Sequence, residues 1–182
     1  MNLWLRLVWA LVSWRSRSRL GVWDVGVRTF RVWPADLDIF NHMNNGRFLS
    51  IMDLSRFDIM LRSGAWQGFR KLKWYPVVVA ETITFRKSLE PWMAFTMETQ
   101  LAGWDEEAFY ADQRFVVNGE IYAQAWVRIR FLKNPRGIVT PAMVFEEFPM
   151  PTDGRQIPDW VAQWAKDTAL PKGKQSAPSI WG

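Results

Sequence analysis

From residue 76 the hydrophobic pattern switches from a helical period to a period of two and keeps it for about 55 residues, which commits this stretch to consecutive strands. Four strands are predicted, over about residues 77–88, 92–103, 108–117 and 120–132. Glu90-Pro91 separates the first two, and Asn118-Gly119 supplies the residues that a tight type I′ hairpin demands between the last two. In the last strand Ile121, Ala123, Ala125, Val127, Ile129 and Phe131 share one face, with Tyr122, Gln124, Trp126, Arg128 and Arg130 on the other.

Ahead of this sheet, residues 26–33 read as a first strand closed by Pro34, and residues 45–63 as a helix with Asn44 or Asn45 as N-cap and Gly64 just past its end. The helix is apolar over most of its circumference, so it is expected to be largely buried, as if a sheet were wrapped around it. Arg47, Asp58 and Arg62 form its one narrow wet edge, whereas Asp53 and Arg56, three residues apart, point inward and pair. Strand, buried helix and four antiparallel strands make an α+β layout. Short helices are expected near 141–146 and 158–168 in a Pro-rich C-terminal extension over 136–182, with a tail from Pro171.

The chain of 182 residues is long enough for one domain with a real core, and 49% hydrophobic residues with 13 Trp and 12 Phe supply that core. It has no cysteine and one histidine, His42, which excludes disulfides, thiolate nucleophiles and multi-histidine metal sites within one chain. No cofactor and no metal are expected, and the missing cysteines fit a reducing compartment such as the cytoplasm.

The net charge of +5 is concentrated at the start. Residues 1–31 hold six Arg against Asp24 alone, leaving 17 basic and 17 acidic residues in the remainder. A nucleic-acid binder would spread its cations over a folded face, so no nucleic-acid partner is expected. Here they flank an apolar run from Leu3 to Trp14 that includes Trp4 and Trp9. As a helix this run covers about 18 Å, short of the roughly 30 Å of a bilayer's hydrocarbon. Residues 1–20 therefore read as an interfacial, membrane-proximal helix, on the inner face of a membrane. The charges follow the apolar run and no small-residue cleavage site is evident, which makes a removable signal the poorer reading. A terminal helix packed on the protein's own surface is the plainer alternative.

Chemistry concentrates in Pro34-Ala-Asp-Leu-Asp-Ile-Phe-Asn-His-Met-Asn-Asn-Gly-Arg-Phe-Leu49, which places Asp36, Asp38, Asn41, His42, Asn44 and Asn45 just before the buried helix. A helix N-terminus offers free N–H groups and a partial positive charge, so a carboxylate beside it has the parts for attack on an acyl carbonyl. Turn aspartates, capping asparagines and a structural histidine would also account for these residues.

The run Asp-Leu-Asp-(x3)-His-Met-Asn-Asn-(x2)-Phe-Leu resembles the active-site signature of hotdog-fold acyl thioesterases, the superfamily of 4-hydroxybenzoyl-CoA thioesterase and the acyl-ACP thioesterases. The resemblance covers roughly residues 24–135 and implies a hotdog fold, a long central helix wrapped by a curled antiparallel sheet. The chain is most similar to the membrane-associated thioesterase-superfamily-member-6-like group, which also carries an apolar N-terminal segment. By this resemblance Asp38 is the catalytic carboxylate, attacking the thioester carbon or deprotonating a water. His42 matches the histidine of the acyl-ACP type, and the N–H of Asn45 or its neighbours polarises the carbonyl. In that type an Asn stands two residues after the Asp; here Phe40 occupies the position and Asn41 follows. Asn41, Asn44 and Gly46 would contact the substrate.

The resemblance implies an acyl-CoA or acyl-ACP thioesterase without cofactor, forming at least a homodimer. Arg86 and Lys87 are candidates to meet the carrier's phosphates, as are Arg128 and Arg130, although each also suits an ordinary solvated strand face. The acyl tail would lie along the apolar side of the central helix. An enoyl-thioester hydratase or dehydratase using His42 as proton carrier, or a silent lipid-binding membrane protein, are the alternatives.

Overall fold

The computed structural model describes residues 3–152, 154–171 and 175–179. Residues 1 and 2 of the expected N-terminal helix, and residues 172–174 and 180–182 of the expected tail, lie outside them. The element order is α1 (Leu3–Ser13), β1 (Gly26–Arg31), α2 (Asn45–Ser63), α3 (Ala65–Leu72), β2 (Trp74–Phe85), β3 (Ala94–Trp104), β4 (Phe109–Val117), β5 (Glu120–Lys133), β6 (Ile138–Val139), α4 (Pro141–Glu147) and α5 (Asp159–Asp167). All strand pairs are antiparallel, in the order β1-β3-β4-β5-β2, with β6 added against β5. This is the expected α+β arrangement, a curled sheet around one long helix.

Helix α2 starts and stops where its terminal residues dictate. The Asn44 side-chain oxygen accepts from the Gly46 N–H at 2.9 Å, and Gly64 closes the helix in the left-handed region at φ 82°. Its residues Phe48, Ile51 and Met52 are buried against Phe30, Phe95, Met97, Ala111, Phe115 and Val127 of the sheet, each such burial being worth about 1.5–3 kcal/mol. Gly26 of β1 lets α2 come close, because a Cβ there would stand 2.5 Å from Ile59 Cγ1. Asn118 and Gly119 both take positive φ, at 50° and 80°, in the β4–β5 turn.

The polar faces of α2 depart from the wheel. Asp58 and Arg62 are buried, not wet. The chain after α1 and strand β1 lie over that arc and bring Arg17 Nη1 to 2.9 Å and Arg28 Nη1 to 2.7 Å from the Asp58 carboxylate, while Arg62 Nη1 stands 3.3 Å away. Burial lowers the pKa of Arg28, and the neighbouring Asp58 opposes that shift. Asp53, expected to point inward, has a side chain 70% exposed; only its partner Arg56 turns inward, donating to both Asp53 and Gln113. A wheel gives relative angles, and which arc is covered depends on segments distant in sequence.

Two further elements differ from the pattern. Helix α3 follows directly on Gly64 and buries Phe69, in a stretch to which the sequence pattern assigns no separate element. Helix α5 packs Val161 and Ala165 on Tyr110 and Trp126, so the expected polar face of β5 is partly covered. Among the described residues no helix is long and apolar enough to cross a membrane.

Asp58→Asn leaves the buried Arg28 and Arg62 without their counter-charge and is expected to cost about 3–5 kcal/mol of stability, read as a lower urea midpoint at unchanged slope.

Candidate active site

Between β1 and α2 the chain makes a short 3-10 turn at Pro34–Asp36 and then a tight hairpin. Leu37 and Met43 form an antiparallel bridge, and the Asp38 N–H donates to the His42 carbonyl at 2.9 Å. Asp38 and His42 therefore face each other across the neck. At the tip Ile39 and Phe40 are 93% and 73% exposed, and Asn41 takes φ 61°, a conformation that asparagine tolerates.

The hairpin is held from three sides. The Met43 N–H donates to the Leu89 carbonyl at 2.9 Å, and the Asn44 N–H to the Asp36 carbonyl at 2.8 Å. The Asp36 carboxylate is itself buried: it accepts from the Trp33 N–H at 2.9 Å and pairs with the equally buried Arg6 of α1. Arg47 adds a bond to the Ala35 carbonyl at 2.9 Å and lies 3.9 Å from Asp36. The two acids of the Asp-x-Asp pair thus have different work. Asp36 fastens the loop to the N-terminal helix, a link that no local sequence signal announces.

Asp38 is half-buried, and its Oδ1 accepts from the Phe40 N–H at 2.8 Å and the His42 N–H at 3.4 Å. Those bonds fix the carboxylate and leave Oδ2 without a hydrogen bond among the described residues. At the start of α2 the Gly46 N–H is taken by the Asn44 side chain and the Arg47 N–H by the Asn44 carbonyl. The Asn45 N–H has no acceptor among the described residues, as the first turn of a helix leaves its amides. His42, Asn41, Asn44 and Gly46 are all exposed around this point.

Arg86 and Lys87 leave the end of β2 and share one carboxylate, Glu120, at 3.0 and 2.5 Å. Hydrogen bonds from Lys87 and Arg86 hold Glu120 below its ordinary pKa. One positive charge remains over, two to three residues before the Leu89 carbonyl that anchors the hairpin. Arg128 and Arg130 are committed elsewhere, on the opposite face of the sheet. Arg128 bonds Asp105 and Glu107 at 3.2 Å each, and Arg130 pairs with Glu107. Tyr110 sits beneath them, its phenol pushed up to about 12 by burial and by its hydrogen bond to Asp105.

A cavity of about 770 Å³ runs along α2 from Ser50 to Ser63 and on to Ala65 and Phe69 of α3. One end carries Ser50, Asp53, Arg56 and Thr99; the other is walled by Phe69, Phe109, Phe131, Val144 and Phe148. Burial lowers the Arg56 pKa and raises that of nearby Glu81, each drawn back by the other's charge. The i,i+3 spacing of Asp53 and Arg56 was visible in the sequence, but Gln113 and Glu81 carry no motif. Ser50 Oγ donates to the Gly46 carbonyl at 3.1 Å, and Ser50, at the polar end of the cavity, lies five residues, about 7.5 Å of helical rise, beyond Asn45 and its unpaired amide.

Residues 32–165, from the hairpin through α5, match the thioesterase-like superfamily. The chain belongs to that superfamily. Protein THEM6 of Xenopus laevis is 32% identical over 175 residues, covering 91% of this chain and 81% of its own length. A probable thioesterase of Saccharomyces cerevisiae is 27% identical over 120 residues, 62% of this chain and 50% of its own. Among solved structures, the probable thioesterase YbaW of Escherichia coli superposes with a TM-score of 0.62 at 20% identity, covering 66% of this chain and 94% of its own. The gentisyl-coenzyme A thioesterase BH1999 gives 0.58 at 18% identity, with 65% and 98% covered. These structural likenesses establish the hotdog fold.

In this thioesterase-like chain Asp36→Asn and Asp38→Asn should separate cleanly. The first removes the counter-charge of a buried Arg6 and is expected to cost about 3–5 kcal/mol. The second keeps the Oδ1 acceptor of the turn and should stay within about 0.5 kcal/mol of wild type. Parallel thermal melts of the two variants check this.

Proposed function

We propose that the chain hydrolyses long-chain acyl thioesters carried on CoA or ACP, using Asp38 as the reacting carboxylate and the Asn45 N–H as oxyanion donor. The observation that carries this is the pairing of a fixed carboxylate having one free oxygen with an unpaired amide at the start of a buried helix. Asp38 Oδ2 either takes a proton from the water that attacks the thioester carbon, or attacks that carbon itself and expels the thiolate to give an anhydride that water then cleaves to the free acid, and in both routes the Asn45 N–H receives the developing oxyanion. The thiolate leaves without a strong general acid, so exposed His42 needs only to border the site. Asn41, Asn44 and Gly46 line the approach, and the positive charge left at Arg86 and Lys87 suits the carrier's phosphates. Similarity to the yeast probable thioesterase supports the reaction class, as do the structural likenesses to thioesterases acting on CoA esters.

The cavity is the seat of the acyl chain in this reading. From Ser50 to Ser63 it follows α2 for about 20 Å, whereas one leaflet's share of a bilayer's hydrocarbon is about 15 Å. A lipid-length chain fits with its thioester end at the polar mouth, near the hairpin.

The wider architecture follows the same reading. Residues 1–20 are the membrane-proximal segment, residues 24–135 carry the reaction, and residues 136–182 are an extension from which α4 and α5 pack on the domain through Val144, Val161 and Ala165. Helix α1 turns Arg6 and Leu7 inward and leaves Trp4 and Val12 71% and 73% exposed, an apolar outer face suited to the interface on the cytoplasmic side of a membrane. Among the described residues strand β2 ends the sheet with an open 12-residue edge that includes exposed Val78 and Val79; a second copy pairing there would close it.

Thiol release from a series of acyl-CoAs and acyl-ACPs tests the reaction. Wild type should turn over, with preference rising toward long chains, and Asp38→Asn should lose about 100-fold or more in kcat. Full activity in a folded Asp38→Asn protein would remove the assigned role, and no release from any carrier would remove the enzyme.

A further inference from the structure

At the opposite end of α2 from the hairpin, a separate pocket of about 210 Å³ is lined by Trp14, Arg15, Arg17, Arg19 and Arg62. Arg62 lies 17 residues beyond Asn45, about 25 Å along the helix. We propose that this pocket seats the phosphomonoester headgroup of an anionic phospholipid, whose second negative charge a phosphodiester lacks, an assignment that rests on the interfacial reading of α1.

Charge is the first argument. The carboxylate in contact with these arginines is Asp58, and both its oxygens are taken: Oδ1 by Arg28 and Oδ2 by Arg17 and Arg62. Arg15 and Arg19 form no salt bridge among the described residues. The C-terminal ends of α1 and α2 each add about half a negative charge. With Arg28 counted among the five guanidinium groups, an excess of about three positive charges remains.

Geometry is the second. Arg62 is held by the Ser18 carbonyl and hydroxyl, at 2.9 Å each. Arg17 is fixed by Asp58 and the Val27 carbonyl. Arg15 stacks over Trp14, its guanidinium carbon 5.3 Å from the ring centroid. Guanidinium groups anchored on one side present their remaining N–H forks in fixed directions, which suits the oxygens of a phosphate.

The source of the phosphate follows from what adjoins the pocket. Val12, two residues before Trp14, belongs to the exposed apolar face that α1 forms with Trp4, Leu5 and Val8. A lipid whose phosphate fills the pocket lays its chains along that face. A soluble phosphate ester would make no use of it.

The test compares the full chain with its Arg15→Gln/Arg19→Gln variant, two exposed positions whose loss should leave the melting temperature unchanged. Binding is measured to phosphatidylcholine vesicles containing phosphatidic acid or phosphatidylserine, matched for surface potential, and glycerol 3-phosphate is titrated calorimetrically without lipid. Wild type should favour phosphatidic acid by about tenfold, and the variant should lose about fivefold per arginine together with that preference. Equal binding to both anionic vesicles, or a preference that survives in the variant, overturns the pocket while leaving α1 at the interface. Glycerol 3-phosphate binding without vesicle binding overturns the lipid source. Failure to bind any vesicle or the phosphate ester removes the interfacial reading as well.

Discussion

The fold depends on one carboxylate buried under three guanidinium groups. Asp58 lies on the fourth turn of α2, yet its partners come from the N-terminal segment, from β1 and from its own helix. An isolated buried ion is prohibitively costly, so the carboxylate and the two buried arginines tolerate burial only when all three segments are in place. Hydrophobic contact would let α2 rotate or slide against the sheet at modest cost. The charge cluster permits one register, because a shift of one residue would carry Asp58 out of reach of Arg28.

That register decides where the chemistry stands. Once α2 is fixed, the position of its first turn is fixed, and with it the unpaired Asn45 amide. The loop that carries Asp38 is too short to bury a core of its own, so it is secured by outside groups: the Leu89 carbonyl, Arg47, and Arg6 reaching from α1 to Asp36. Aspartate appears three times in these arrangements, and its surroundings separate the roles. Asp58 and Asp36 are buried and fully paired, which suits them to hold elements together. Asp38 keeps an oxygen free at the surface, which suits it to react.

Much of this was legible in the sequence. The strand pattern after residue 76, the Asn-Gly turn and the Asn44 and Gly64 caps are local signals, and local physics enforces them. The hairpin was marked by composition, since acids, an imidazole and amides rarely crowd before a buried helix without reason. What escaped was long-range. The sequence placed Asp58 and Arg62 on a wet edge because nothing nearby says that Arg17 and Arg28, dozens of residues upstream, cover them. The same blindness hid the Arg6–Asp36 link and the carboxylates that occupy Arg128 and Arg130. The N-terminal charge illustrates this most clearly: of six arginines that look like one basic cluster, Arg6 and Arg28 are buried and Arg17 is largely committed to Asp58. The surface charge left to meet an interface is smaller and more sharply placed than the composition suggests.

The placement of α1 has a consequence for substrate access. Arg6 reaches the chain just before α2, while Ser13 and Arg17, further along, reach Arg28 and Asp58. The two helices therefore run side by side in the same direction. If α1 lies in the plane of an interface, α2 lies nearly parallel to it, and the hairpin and the arginine pocket stand at similar heights above the lipid. Trp4, on the outer face of α1, and the largely exposed Asp53 both line the cavity along α2. On the proposed reading the cavity that takes the acyl chain borders the face that would meet the lipid, and a chain could pass between them with little exposure to water. At about 0.8 kcal/mol for each methylene kept from water, such a path favours long chains over short ones before any contact inside the cavity is made.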